Sequence, residues 1–202
     1  MTRYLFQPYM YLLCVLFFAL ANCRKATTDT SSPEKAFAYY QELLSKGDYE
    51  GIYGLLVKEA REQVDKCYEN IKEAIRLVEN EYPLALRSQA LQQIGTEELR
   101  NANSPAAFFV ALILSTGRKP PRLTASGRLA LNIRKVQKTA MGTYEVQTVG
   151  GHKVEFAQGA DGLFYLVPDK SDMAVLRAQL IRSIEVLESI KRNVRSLGTT
   201  TR

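Results

Sequence analysis

The sequence predicts an α+β fold, with a helical N-terminal half packed on an antiparallel meander of about four strands and a long C-terminal helix. Three observations predict it. From Ser31 to about Thr116, apolar residues recur at intervals of three and four. From about Arg128 to Val167 the apolar period falls to two, and Gly150-Gly151 and Asp161-Gly162 sit where hairpins must turn. From Asp169 to Gly198 the helical period returns. Helices gathered in one half and strands in the other is the α+β order, not the alternating order of a parallel sheet.

Ser31-Ser32-Pro33-Glu34 opens the first helix: Ser31 and Glu34 have capping-box spacing and Pro suits the first turn. Ala36, Phe37, Tyr40, Leu43 and Leu44 share its apolar face. Gly47 is expected to end it and Asp48 to cap a second helix with Ile52, Leu55 and Leu56. A longer stripe runs through Ala60, Val64, Cys67, Tyr68, Ile71, Ala74, Ile75 and Val78 until Pro83 interrupts it. Leu86, Ala90, Leu91 and Ile94 form a short helix before Gly95. Ser104-Pro105 starts another, whose body AAFFVALIL is apolar all round and so is expected to be buried on most sides until Gly117. In the meander, Leu129, Leu131 and Ile133 alternate, then Tyr144, Val146 and Thr148, then Val154 and Phe156, and Leu163 to Val167 make a final short strand.

The N-terminus has the layout of an export signal. Arg3 precedes an uncharged run from residue 4 to 22, and Arg24-Lys25 follow it. Leu20-Ala21-Asn22-Cys23 resembles a bacterial lipobox, with Leu20, Ala21 and Cys23 matching and Asn22 departing from it. The resemblance implies cleavage before Cys23 and acyl chains on that residue. Under the bacterial sorting rule, Arg24 in place of Asp implies the outer membrane, facing the periplasm. Two other readings stay open: Ala19-Leu20-Ala21 as an ordinary cleavage site leaving a soluble periplasmic chain, and an uncleaved membrane helix only just long enough to span. The organisation expected is a lipoprotein-type signal peptide at 1–22, a polar tether at 23–31, an α+β domain at 32–168 and an amphipathic helix at 169–198.

"SPEKAFAYYQELLSKGDYEGIYGLL", "SPAAFFVALIL" and "GTYEVQTVGGHKVEFAQGADGLFYLV" resemble the exported bacterial lipoproteins of the nuclear-transport-factor-two-like, or cystatin-like, superfamily. The resemblance covers about residues 32 to 168. It implies a curved sheet wrapped by helices into a cone, in some members around a cavity. The helical stretch between 60 and 103 and the last helix depart from the family pattern.

Composition and motifs point away from several chemistries. His152 is the only histidine, and Cys14, Cys23 and Cys67 form no CxxC pair, so the common zinc spacings cannot be assembled. No phosphate loop or nucleophile elbow is present. His152 directly follows the Gly-Gly turn and reads as a solvated strand-end residue. Glu145 and Glu155 alternate with Tyr144, Val146, Val154 and Phe156, so both are expected to point away from the apolar face, and Tyr144 to pack inward. Cys67 lies on the apolar stripe of its helix, where a buried thiol is expected; in the soluble reading it is also a partner for an unmodified Cys23.

The chain carries 27 Lys and Arg against 21 Asp and Glu, a net charge of +6. Arg118, Lys119, Arg122, Arg128, Arg134, Lys135 and Lys138 form a stretch without an acidic residue. It reads as a solvated rim or as a contact for anionic lipid headgroups or cell-wall acids; nucleic acid is not expected for an exported chain. Met173, Leu180, Leu187 and Val194 stand seven apart on the last helix, with Leu176, Ile190 and Leu197 between them. The helix exceeds the length of the strands, so its first half is expected on the sheet or on the 105–116 helix. Its second half, with Leu187, Ile190 and Val194, is expected to project toward a protein partner or a second copy. The function expected is a non-catalytic binding or scaffolding module of the cell envelope, lipid-anchored, without a cofactor. The alternative is a periplasmic enzyme or a carrier of a small apolar ligand in a cone cavity. A polar residue facing an enclosed pocket would favour the alternative.

Overall fold

The computed structural model describes residues 29–116 and 130–200, the last three as backbone only. The expected signal segment, Cys23, most of the tether, and Arg118, Lys119, Arg122 and Arg128 lie outside the described residues.

Helix α1, Pro33–Lys46, starts one residue later than the capping-box spacing suggests. Ser32 is the N-cap and accepts from the Lys35 N–H at 3.3 Å. Ser31 is held instead by Asp29, whose Oδ1 accepts from both its N–H and its hydroxyl. Gly47 ends α1 at φ 67°, a left-handed conformation that costs glycine nothing. Asp48 caps α2, Tyr49–Leu55, accepting from the Gly51 N–H at 2.8 Å.

Leu56 and Val57 are extended. Leu56 bridges Leu166 in parallel, and the Val57 N–H donates to the Leu166 carbonyl at 2.9 Å. Helix α3, Lys58–Glu81, leaves from this edge. It ends at Tyr82, which Pro83 forces into an extended conformation. Helices α4, Leu84–Ile94, and α5, Glu97–Asn101, follow. Ser104 caps α6, Pro105–Ser115, accepting from the Ala107 N–H at 3.1 Å.

The sheet is an antiparallel meander in the order β1, Ile133–Lys138; β2, Tyr144–Thr148; β3, Lys153–Gln158; β4, Phe164–Val167. Val146, Phe156, Phe164 and Leu166 fill its inner face, and α1 crosses that face in contact with all four strands. The first strand begins later than expected. Leu131 lies in a turn and Ile133 is exposed. The register shifts between Ile133 and Lys135, so alternation near this edge does not map onto the core.

The C-terminal helix α7, Lys170–Thr200, contradicts the expectation of a projecting second half. Leu187 is 8% and Ile190 1% exposed, and Val194 packs against the same core. Nor does the first half pack chiefly on the sheet or on α6; the main partner of α7 along its length is α3. Both helices leave the parallel Leu56–Leu166 edge in the same direction, so they run side by side. Asn70 Nδ2 donates to Ser183 Oγ at 3.0 Å, which fixes their register. The buried residues of α3, at 60, 64, 67, 71, 74 and 78, are spaced four and three. So are 176, 180, 183, 187, 190, 194 and 197 of α7, all buried or packed on the core. Two matched heptad stripes seal each other. Ser183, which breaks the apolar row, is the small residue at their polar contact: it lies beside Asn70 and Cys67 and donates to the Leu180 carbonyl at 2.8 Å.

Candidate functional site

Helix α6 packs chiefly on α2, whereas α7 packs chiefly on α3. The end of α6 and the start of α7 therefore stand on either side of a cleft of about 820 Å³. Its walls are Leu44 of α1, Ile52 of α2, Phe109, Leu112 and Ile113 of α6, and Val175 and Leu176 of α7. Val154 and Leu166 of the sheet complete the apolar lining. These residues come from four helices and two strands, so no local stretch of sequence displays them together.

One side of the cleft is charged. Glu145 and Glu155 are direct cross-strand neighbours in β2 and β3. Like charges so placed repel, and the structure offsets the repulsion locally. Lys153 Nζ lies 3.1 Å from the Glu145 carboxylate, and Gln137 Nε2 donates to it at 3.1 Å. Thr143 Oγ1 donates to Glu155. Both carboxylates point away from the packed core face, as alternation implies. They are half-buried rather than fully solvated, and they line the cleft together with Lys153, Asp169, Lys170 and Asp172. Asp169 also holds the start of α7, accepting from the Asp172 N–H and the Ser171 hydroxyl, each at 2.8 Å.

The other residues singled out in the sequence are dispersed. His152 is exposed at the end of the β2–β3 return, and its N–H donates to Thr148 Oγ1 at 3.1 Å. Tyr144 packs edge-on to Phe164, with ring centroids 5.2 Å apart. Cys67 is buried in the α3–α7 stripe, and burial raises its thiol pKa against the opposing hydrogen bond of Ser183. A bond from Cys67 to Cys23 would require that stripe to open. Arg134, Lys135 and Lys138 are exposed on β1. The structure does not bring these residues to the cleft.

Sequence reasoning offered a cavity only through the resemblance and missed its lining residues, because they are ordinary core positions of their own elements. The one signal was the all-round apolar α6, which has more apolar surface than its neighbours cover. Among the described residues, no group of three His, Cys, Asp or Glu side chains is placed to hold a metal ion, and no helix is long and apolar enough to cross a membrane. Comparison with protein-family models, curated proteins and solved structures finds no match to the chain.

Proposed function

We propose that this protein is a non-catalytic, lipid-anchored binding module of the bacterial cell envelope whose ligand is an amphipathic small molecule held in the α1–α2–α6–α7 cleft. The observation that carries the reading is the cleft of about 820 Å³, apolar on its helical walls and charged along Glu145, Lys153 and Glu155. That volume falls within the range of sites that enclose small organic ligands. An apolar floor with a charged edge suits a molecule with a hydrocarbon body and a polar head. Anchorage rests on Leu20-Ala21-Asn22-Cys23, and the cystatin-like resemblance adds a fold in which some relatives enclose a cavity. A scaffolding role through α7 loses its support, because Leu187, Ile190 and Val194 pack inside the protein.

The test is displacement of an environment-sensitive apolar dye by a single-chain phospholipid. Saturable binding is expected in the wild type. Ile113→Trp, which fills the cleft, and Val175→Glu, which charges its wall, are each expected to weaken binding about tenfold or more, with the melting midpoint unchanged. Absence of saturable binding in the wild type overturns the reading. For the anchor, Cys23→Ala is expected to abolish fatty-acid labelling and leave the unprocessed precursor; unchanged labelling refutes it.

A further inference from the structure

The two ends of the sheet differ in what they carry. One end holds the β2–β3 return and the starts of α3 and α7. The opposite end holds two hairpin tips, Thr139–Thr143 and Gly159–Leu163, and there the Phe164 N–H donates to the Thr30 carbonyl at 2.8 Å. Residues 1–28 precede the described chain, so the tether enters at the same end as the two tips.

Both tips are closed by backbone hydrogen bonds. The Thr139 N–H donates to the Thr143 carbonyl at 2.8 Å, and the Gly159 N–H to the Leu163 carbonyl at 2.8 Å. Gly142 and Gly162 take the positive φ that each turn needs, 82° and 81°. The first tip, Thr-Ala-Met-Gly-Thr, has no charge, and Met141 at its apex is 81% exposed. The second presents Ala160 and Leu163 to solvent. Its one charge, Asp161, is turned back onto the Tyr165 hydroxyl and the Leu163 N–H. Lys138 flanks the first tip and is exposed.

We infer that this end of the sheet docks on the bilayer that holds the anchor, with Met141 and Leu163 dipping into the headgroup boundary and Lys138 meeting lipid phosphates. The inference rests on the lipid anchorage proposed above. From Cys23 to Asp29 the chain reaches at most about 20 Å, by the covalent length of a residue. The anchor therefore keeps this end close to the surface, and contacts too weak to hold a free protein become effectively intramolecular. Rigid tips lose little freedom on docking.

The experiment uses the mature lipidated chain in vesicles of phosphatidylethanolamine and phosphatidylglycerol carrying brominated acyl chains. Met141→Cys and Val149→Cys each provide an exposed thiol for a bimane label, at opposite ends of the sheet, while Cys67 stays buried. Bimane at 141 is expected to be quenched at least about twofold more than at 149, the difference expected of an interfacial and an aqueous position. Flotation with equal quenching at the two sites overturns the inference and leaves the anchor intact. Failure of the wild-type chain to float removes the anchorage reading and the inference together.

Discussion

Single residues set two titrations. The Tyr53 hydroxyl donates to Asp65 while its ring lies against Phe109, 5.9 Å between centroids. Burial, and then the bond to Asp65, push its pKa up to about 12. A raised pKa favours the neutral form in the folded state, so this contribution is complete below the ordinary value near 10 and is lost as pH rises from there through about 12. Tyr53→Phe is expected to remove the latest step of the tyrosinate absorbance titration and to cost about 1 kcal/mol by urea unfolding. Asp29 behaves in the opposite sense. The hydrogen bond from Lys35, with those from Ser31, holds its pKa down to about 2. The contribution is present above about 3.8 and is lost as pH falls toward 2. Amides in the first turn of α1 are therefore expected to lose protection against exchange, relative to their intrinsic rates, before the core does as pH falls. The same cap shows what sequence can resolve: a Ser-Ser-Pro start located the helix, but only the Asp29 carboxylate decides which serine caps it.

At the scale of elements, the α3–α7 pair carries the largest correction. Comparison of a long helix with short strands leaves half of α7 uncovered. The comparison omitted α3, whose 24 residues span about 36 Å at 1.5 Å per residue. Ile71, Ala74 and Val78 need a cover as much as Leu187, Ile190 and Val194 do. Truncation after Ser183 is therefore expected to abolish cooperative thermal unfolding, because it bares both stripes. Ile190→Ala, at a fully buried site, is expected to cost about 2–5 kcal/mol in denaturant unfolding. A truncated chain that melts as sharply as the full one refutes the pairing. Val57→Pro probes the junction that launches α3. At φ −57° proline fits the backbone, so the change removes the N–H to Leu166 and the Val57 side-chain packing, for an expected loss of about 1–2 kcal/mol.

For the whole molecule, the arrangement has a direction. The hairpin tips and the Thr30–Phe164 contact share one end of the sheet; the β2–β3 return and the starts of the helix pair share the other. Changes at the cleft, such as Ile113→Trp, are expected to alter ligand affinity without altering flotation, and a bimane label at Met141→Cys to report docking without altering either.

Periodicity and local turn chemistry in the sequence determined the α+β order, six of the turns and caps, and the inward and outward sets of β2 and β3, because each depends on neighbours within a few positions. Gly47, Asp48, Pro83, Ser104, Gly151 and Gly162 all act where their local chemistry says they must. The tertiary structure alone decided which stripe faces which. A heptad stripe states that a helix needs a partner, not whether that partner is another chain or a helix more than a hundred positions earlier. It also decided that α6 and α7 would choose different partners and leave a cleft between them. Apolar surface is non-directional, so the pattern that marks a residue for burial is the same whether a neighbour or a ligand covers it.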